Sequence, residues 1–548
     1  MRVAETQEEM KMQYLLPKRI MRQEYAKNAE ILLTERPRQA FLGTLPVCSL
    51  KKGGYILLDF GCEFQGGADI VIQQTEHITE SLRIVFGESA SEALSTLGVK
   101  NATNDHSPRD IVVTVSSFSR LSLGNTGYRF LKLEALSGGI TTSSVQGASR
   151  FRDLEYLGSF RCSDNLLNEI WKVGARTVHL NMQEYLWDGI KRDRLVWVGD
   201  MHPETSTIST VFGETSVVKK SLDFVRDHTP VDSFMNGYAS YSMWWIKIHR
   251  DMYWDFGNLN YLKEQENYLA SILENMLSHI DQSGFCDIDE RFVEWSSKGT
   301  PDEEEAFYAM LIVGLMAGAE LLDILNTSAV LAKSCLTAAN HIKARKLKSI
   351  QNKQAAAMIG LSGLGDLKKM CESVIKPGNV EGLSTFWGYY VLLALHKAGE
   401  TNFALDIIRQ YWGAMINLGA TTFWEDFDIR WVQNSCRIDE LVQAGKNDPH
   451  GDFGKFCYKQ FRHSLCHGWA SGPTSFLSRC ILGIKAIEPG YRKIKITPNL
   501  GTLSYAEGKI PTPFGNILVR HEEKGGDVKT EISIPDEIEI IKKHSYRE

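Results

Sequence analysis

The stretch SDNLLNEIWKVGARTVHLNM, residues 163–182, marks the point at which the character of the chain changes. It opens on two candidate N-cap residues, Ser163 and Asp164. Its apolar residues then recur at helical spacing: Leu166, Leu167, Ile170, Trp171 and Val178. The pattern predicts an amphipathic helix here, and the segments on either side of it decide the rest of the fold.

The residues before this helix carry the pattern of short β-strands. Runs such as GYILLDFG, ADIVIQQ, LRIVFGES, IVVTVSS and YRFLKLEAL are β-branched or alternate between apolar and polar residues. Gly, Ser, Asn and Asp separate them and provide turns. Several short strands divided by turn signals predict a β-sandwich domain over residues 1–155.

The residues after it are rich in helical segments as far as about residue 484. Two examples are EEEAFYAMLIVGLMAGAELLDIL and STFWGYYVLLALHKAG. Paired helices are typical of a toroid or a solenoid, and the absence of a fixed-period repeat favours the toroid. Strands return in YRKIKITPNL, ILVRHEE and VKTEISIPDEIEI. The predicted boundaries are therefore a helical domain at 156–486 and a small β-sandwich domain at 487–548.

Bulk properties exclude several classes of function. A net charge of −6 over 548 residues lacks the excess of positive charge that nucleic-acid-binding proteins carry. The ten cysteines form no CxxC pair and no Cys/His metal spacing, which predicts a reducing compartment and no metal or other cofactor. The longest uncharged apolar run, between Glu305 and Glu320, is shorter than the roughly 20 residues that cross a bilayer. Since the first 20 residues lack a signal-peptide pattern, we expect a cytoplasmic protein without a membrane partner.

The segment YLWDGIKRDRLVWVGDMHPE, residues 185–204, combines many charges with three large rings. Its acids Asp188, Asp193 and Asp200 are spaced by five and seven residues, so a regular helix would not put them on one face. An irregular loop at the mouth of a barrel could bring the three acids to one face. Burial among rings raises the pKa of a carboxyl and a neighbouring Arg192 lowers it. From the residues alone, an ion-pair cluster that caps the next helix is an equally good interpretation.

Two further clusters follow in LGATTFWEDFDIRW and HSLCHGWASGP. Glu425 stands directly after Trp424 in the first, and His467 precedes a Gly-Trp-Ser turn in the second. A single Glu or His is usually structural. Two separate acidic and aromatic clusters on a helical scaffold are instead typical of glycoside hydrolysis, which needs two carboxyls on opposite sides of the sugar.

These motifs resemble those of the inverting α-L-rhamnosidases of glycoside hydrolase family 78. The family signature D-C-P-x-R-E-x-x-G-W-x-G-D is matched without a gap by DGIKRDRLVWVGD, from Asp188 to Asp200. The family's G-A-T-T-x-W-E is present as GATTFWE and its S-x-N-H as SLCH. The resemblance covers roughly residues 50–540. It implies a multidomain chain with an (α/α)6-barrel catalytic domain between an N-terminal β-sandwich and a small C-terminal β-domain.

The resemblance also implies roles for individual residues. The general acid of the family falls on Asp193 and the general base on Glu425. Five matched positions hold the rhamnose: Asp188, Arg192, Trp197, Asp200 and His467. Four tryptophans of the helical region are expected as walls of the sugar pocket: Trp244, Trp254, Trp295 and Trp387.

This chain departs from the family pattern at several of these positions. Asp193 replaces a Glu and is one methylene shorter, and Gly189 and Ile190 replace Cys-Pro, which would permit the loop to move inward. Val196 and Cys466 replace a Gly and an Asn. We expect an exo-acting inverting enzyme that removes terminal rhamnose from glycosides or oligosaccharides. The alternatives are a related glycosidase for another deoxy-sugar or a lyase-derived oligosaccharide, and a carbohydrate-binding protein without catalysis. Linkage, aglycone and oligomeric state stay open.

Overall fold

A computed structural model describes residues 9–541 of the chain. Residues 1–8 of the first predicted domain and residues 542–548 of the third lie outside the described residues. The described residues form two compact units. The first comprises the chain up to Asp153, His179–Leu195 and Ala414–His467; the second comprises Leu154–Val178, Val196–Gly413 and the chain from Gly468 onward. The predicted domain boundaries near 155 and 486 stay a prediction.

Sixteen strands occur in the described residues, and most of them lie near the two ends of the chain. They are β1 (Met10–Leu15), β2 (Arg19–Lys27), β3 (Cys48–Thr75), β4 (Thr79–Gly87), β5 (Asp110–Ser116), β6 (Ser119–Ala135), β7 (Ile140–Arg152), β8 (Ser159–Cys162), β9 (Gly454–Lys455), β10 (Tyr458–Lys459), β11 (Ile484–Ala486), β12 (Lys493–Ile496), β13 (Tyr505–Thr512), β14 (Gly515–Lys524), β15 (Asp527–Ser533) and β16 (Glu539–Ile540).

The helices fill the middle of the chain. They are α1 (Ala90–Leu94), α2 (Asn165–Asn181), α3 (Met201–Val211), α4 (Ser216–Asp227), α5 (Ala239–Phe256), α6 (Leu259–Ser278), α7 (Pro301–Leu325), α8 (Ala329–Lys343), α9 (Lys353–Ser362), α10 (Leu367–Met370), α11 (Gly388–Ala398), α12 (Thr401–Ile407), α13 (Gly413–Asn417) and α14 (Gly472–Phe476). The helix predicted from residues 163–182 is α2, and the carboxylate of Asp164 accepts hydrogen bonds from the N–H groups of its first turn.

A single seven-stranded antiparallel sheet dominates the first unit, in the order β1-β7-β3-β6-β4-β5 with β2 on β3. The 28-residue β3 bends so far that residues near both of its ends pair with the start of β7. The sheet thereby folds over on itself, as the predicted sandwich requires, and encloses an aromatic core. Phe64 and Tyr128 lie at its centre with ring centroids 4.4 Å apart.

Six helices of the second unit contact one another in a closed ring: α3 with α5, α5 with α7, α7 with α9, α9 with α11, α11 with α14, and α14 with α3. Other helices, such as α6, α8 and α12, pack against members of this ring. A closed ring of six is the inner layer that an (α/α)6 barrel requires. The most apolar member, α7, is by length and composition able to cross a bilayer, but it is mostly buried inside the structure, as expected of a core helix.

The end of the chain forms two small sheets in the second unit. One has the order β15-β14-β13-β8 and the other the order β11-β12-β16, in which β12 and β16 run parallel. The strand β8 comes from residues predicted to open the helical domain, yet it pairs with β13 from Ala506 to Lys509. Four residues are too short a run to show a strand pattern in sequence.

Candidate active site

The loop that follows α2 carries the first cluster of predicted site residues. The backbone N–H of Asp188 donates to the carbonyl of Leu195 (3.1 Å), and the N–H of Leu195 donates to the Asp188 carboxylate (2.9 Å). Asp193 and Arg194 both adopt left-handed backbone conformations, with φ of 53° and 56°. Such positions are costly for non-glycine residues and often occur at functional sites. The loop is thus a closed, strained turn with Asp193 near its tip.

Ile190 anchors this loop in the core of the folded sheet. Its side chain is fully buried among the sandwich residues, and its carbonyl accepts a hydrogen bond from Gly127 of β6 (2.9 Å). Gly127 must be glycine for this contact, because a Cβ there would stand 2.5 Å from Cγ1 of Ile190. The replacement of the family's Cys-Pro therefore fixes the loop to the sheet, whereas the sequence suggested a loop with more freedom.

Arg192 joins the two predicted catalytic carboxyls. Its Nη1 donates to Asp193 Oδ1 at 3.1 Å, and its Nη2 donates to Glu425 Oε1. Arg192 and Glu425 are both buried. Because one guanidinium contacts both acids, the structure brings residues 193 and 425 together within one small region. Beyond this proximity, the inverting hydrolase interpretation requires a gap of about 6.5–9.5 Å between the two carboxyls for a water.

Glu425 is held by a second segment as well. Its backbone N–H donates to the carbonyl of Ser464 (3.0 Å), and its carboxylate accepts from the N–H of Ser464 (3.2 Å). Burial alone would raise the pKa of Glu425, but the positive charge of Arg192 and the nearby His467 outweigh it, so this pKa lies below its ordinary value. Glu425 is therefore ionised at neutral pH, the state that a general base needs.

Asp188 and His467 lie beside this pair. Nε2 of His467 is 3.6 Å from Asp188 Oδ2 and 3.8 Å from Glu425 Oε1. Burial raises the pKa of Asp188, and His467 opposes that rise. The backbone also connects these segments, since Gly189 bridges to His467. Five predicted site residues thus meet in the first unit: Asp188, Arg192, Asp193, Glu425 and His467.

Asp193 has a partner that the sequence did not suggest. Nε2 of His106, in the loop before β5, is 3.4 Å from Asp193 Oδ1. His106 also has a left-handed backbone, with φ of 62°. The Asp193 side chain is 21% exposed, whereas that of Glu425 is 3% exposed, so Asp193 is the more accessible of the two carboxyls. A lone His in a polar loop carries no sequence signal that would have identified it.

Trp197 and Asp200 belong to the second unit. The hydroxyl of Tyr241 donates to Asp200 Oδ1 (3.1 Å), and the Tyr241 ring makes an edge contact with Trp197 at 6.1 Å. Asp200 is buried and stands directly before α3. The hydrogen bond from Tyr241 fixes the orientation of its carboxylate.

Trp244 and Trp387 form one aromatic group in this unit, and the structure separates them from Trp254. Their rings meet edge to face at 6.4 Å, and Trp244 stacks on His202 at 4.7 Å. Trp254 lies ten residues further along α5, which is about 15 Å at the rise of an α-helix. Trp254 lines a cavity of about 550 Å³ whose lining includes His202 but neither Trp244 nor Trp387. Trp295 packs on Phe292 at 5.2 Å, with Lys298 over its ring.

Sequence reasoning also missed a buried polar cluster in the first unit. Among the described residues, the group with the spacing of metal ligands is Glu88, Glu92 and His450. The Lys191 ammonium lies at this group, 3.2 Å from Glu88, 2.7 Å from Glu92 and 3.3 Å from Nε2 of His450. The positive charge beside Glu88, Glu92 and His450 is thus supplied by Lys191, a residue of the loop that follows α2. Lys191 falls on the unspecified position of the signature, so the motif gave no reason to single it out.

Parts of this chain are similar to known bacterial α-L-rhamnosidases. Residues 155–343 match the family described as bacterial alpha-L-rhamnosidase 6 hairpin glycosidase domain, and residues 483–541 match the bacterial alpha-L-rhamnosidase C-terminal domain. An alpha-L-rhamnosidase from Alteromonas sp. (strain LOR) is 34% identical over 147 residues, which is 26% of this chain and 14% of that protein. The first match contains Asp188 to Asp200, whereas Glu425 and His467 lie outside both matched regions.

Solved structures show the same fold. The family 78 rhamnosidase of Bacillus sp. GL1 has a TM-score of 0.73 and 22% identity, over 93% of this chain and 55% of that one. The rhamnosidase from Klebsiella oxytoca with rhamnose bound has a TM-score of 0.70 and 19% identity, over 86% of this chain and 96% of that one. This chain spans about half the length of the Bacillus protein. The fold is that of a six-hairpin glycosidase with an added C-terminal domain. In these two matched regions and in its fold, this chain is similar to the bacterial α-L-rhamnosidases of glycoside hydrolase family 78.

Proposed function

We propose that this protein is an exo-acting, inverting α-L-rhamnosidase that removes terminal rhamnose from glycosides or oligosaccharides. The observation that carries the proposal is the convergence of Asp193 and Glu425 on the guanidinium of Arg192. The two regions that match bacterial α-L-rhamnosidase domains and the similar Klebsiella structure with rhamnose bound support the choice of sugar. The 6-methyl group of rhamnose is apolar, so an aromatic pocket suits it.

The proposed mechanism assigns one proton transfer to each carboxyl. Asp193, the more exposed acid, gives its proton to the glycosidic oxygen as the bond from that oxygen to the anomeric carbon breaks. Glu425, held ionised by Arg192, takes a proton from a water whose oxygen bonds to the anomeric carbon on the opposite face. An inverting enzyme needs about 6.5–9.5 Å between the carboxyls for this water. Glu425 then releases its proton to solvent, and Asp193 is protonated again.

The buried polar groups explain how such a site would select its sugar. Asp188, His467 and Asp200 are buried, and each is held by a contact within its own unit. A buried group that hydrogen-bonds a sugar hydroxyl rejects sugars that lack the hydroxyl, because the group would be left unpaired. We propose Asp188, Arg192, Trp197, Asp200 and His467 as the residues that bind rhamnose, with Trp244, Trp387 and Trp295 as apolar walls.

The test is release of rhamnose from an aryl α-L-rhamnoside, with the anomer of the first product followed by NMR. We expect inversion, and we expect Asp193→Asn and Glu425→Gln each to lower kcat at least a thousandfold with the fold intact. Asp428→Asn is the matched control, since Asp428 lies in the same segment but pairs with the exposed Arg430. Full activity in both catalytic variants would refute the assignment, and first-formed product of retained configuration would refute the mechanism.

The same assay separates the alternatives. Turnover of another deoxy-glycoside alone would favour the related glycosidase, and rhamnose binding without turnover would favour a protein that has lost catalysis. We also propose a cytoplasmic location, because all ten cysteines, each within the described residues, are free, and disulfides are rare in reducing compartments. Cell fractionation tests this location, and recovery of the protein outside the cytoplasm would refute it.

A further inference from the structure

Lys191 precedes Arg192 and is one of three buried lysines among the described residues. Besides the two carboxylates already described, its ammonium donates to the backbone carbonyls of Phe461 (2.6 Å) and His463 (2.9 Å). An ammonium has three protons to donate, and here five acceptor atoms lie within 3.3 Å of it. Lys191 thus ties the loop of the predicted acid to the segment that leads into Ser464.

Glu88, which follows β4 of the folded sheet, also contacts the segment around Ser464. Its carboxylate accepts from the N–H of Leu465 (2.8 Å) and from the hydroxyl of Ser464 (3.3 Å). One of its oxygens also contacts Lys191 at 3.2 Å. A single buried carboxylate of the N-terminal sheet therefore contacts both the lysine of the acid loop and the turn that holds the base.

The turn in question contacts Glu425 directly. Ser464 exchanges two hydrogen bonds with Glu425, one to its carboxylate and one from its backbone N–H. A continuous series of contacts thus runs from Glu88 through Ser464 to Glu425. A second series runs from Glu88 through Lys191 to the neighbouring Arg192 and Asp193. Both series start from the same carboxylate.

The charges of this cluster balance. Arg109 contacts Glu92 at 3.1 Å, so two cations, Lys191 and Arg109, face the carboxylates of Glu88 and Glu92. Burial and the neighbouring Glu88 raise the pKa of Glu63 well above its ordinary value, which favours its neutral form. A buried, balanced ion cluster contributes little net stability compared with apolar packing, but it fixes one arrangement strongly, because any other arrangement leaves a charge unpaired.

We propose that Glu88 and Lys191 are positioning residues of the active site: through them the N-terminal β-region sets the placement of Asp193 and Glu425 relative to each other. This inference rests on the proposed hydrolase function and assigns a role to the N-terminal sheet that the family motifs do not. A displacement of about 1 Å of a catalytic group can lower the rate by about a hundredfold. Loss of either residue should therefore lower kcat more than it raises KM, because proton transfer depends more steeply on the placement of the carboxyls than sugar binding does.

The experiment uses the full chain with Lys191→Met and Glu88→Gln, which keep the size of each side chain and remove its charge. We expect kcat on an aryl α-L-rhamnoside to fall about a hundredfold while KM changes less than about threefold. We also expect the acidic limb of the kcat/KM profile to move to higher pH, because a displaced turn no longer holds the N–H of Ser464 against the Glu425 carboxylate. A purely structural defect would lower the amount of active enzyme without moving that limb.

Two further variants keep the result decisive. Lys132→Met is the matched control, because Lys132 is also buried in the first unit and paired with a carboxylate, Glu134, at 2.8 Å. Ser464→Ala removes one hydroxyl and tests the same contacts should Lys191→Met fail to fold; its kcat should fall about 2- to 10-fold. Folded variants with wild-type kcat and an unmoved acidic limb would overturn the proposal. An inactive wild-type chain would instead refute the hydrolase function itself.

Discussion

Gly127→Ala tests whether the N-terminal sheet fixes the loop of the proposed acid. The new Cβ would stand 2.5 Å from Cγ1, 2.8 Å from Cδ1 and 3.2 Å from the carbonyl carbon of Ile190, whereas ordinary contact begins at 3.4 Å. The distance between the new Cβ and Cγ1 of Ile190 must therefore increase by about 1 Å. Ile190 is β-branched and fully buried, so rotation of its side chain offers little relief. The loop of residues 188–195 should shift outward.

The expected effect on activity exceeds the effect on stability. Overpacking of a core typically costs about 1–3 kcal/mol of unfolding free energy. A shift of about 1 Å at Asp193 should lower kcat about a hundredfold. The assay is rhamnose release from an aryl α-L-rhamnoside, combined with urea unfolding of the same preparation.

A second substitution checks the cause. In Gly127→Ala/Ile190→Ala the new methyl enters the space that the isoleucine vacates, so kcat should recover relative to Gly127→Ala alone. Gly139→Ala is the control, since its nearest contact is the end of the flexible Glu76 side chain at 3.2 Å. Wild-type kcat in folded Gly127→Ala would refute the view that this contact places the loop.

Three further predictions concern single charged groups. Arg192→Met removes the guanidinium from the buried Glu425 carboxylate, so the variant should lose about 3–5 kcal/mol of unfolding free energy. The acidic limb of kcat/KM should move to higher pH as the pKa of Glu425 rises. Burial lowers the pKa of His249 to about 4, so on acidification the unfolded chain binds a proton at this residue before the folded chain does. The unfolding free energy should therefore fall below about pH 6.5, by up to about 1.4 kcal/mol per pH unit. His249→Gln should reduce that slope, measured by urea unfolding at a series of pH values. His106→Ala should lower kcat several-fold with little change in unfolding free energy, because His106 contacts Asp193 while remaining partly exposed.

Each of these predictions has a contrary outcome. An unmoved acidic limb in Arg192→Met would show that Arg192 does not control the ionisation of Glu425. An unchanged slope in His249→Gln would show that other groups cause the loss of stability in acid. For His106→Ala, a kcat equal to that of a variant at the exposed His228 would remove His106 from the site.

Sequence patterns were sufficient for the local structure and for the motif residues. Period-two runs predicted the strands of the N-terminal sheet, and helical spacing with a candidate cap predicted α2. The ordered motifs predicted that Asp193 and Glu425 belong to one site, and the shared contact with Arg192 agrees with that expectation. The pattern did not predict β8, because a four-residue strand acquires its partner only when distant β13 is in place.

The sequence by itself determined which residues are helical, which are extended and which acids stand in the family motifs, because these depend on neighbours a few residues away. Only the tertiary structure decided how the acids are held. Glu88, Lys191 and Ser464 are separated by about a hundred residues or more along the chain, yet their side chains are in contact. Buried ion pairs of this kind form because an unpaired charge is costly away from water. That cost is set by three-dimensional surroundings, which no local pattern of residues contains.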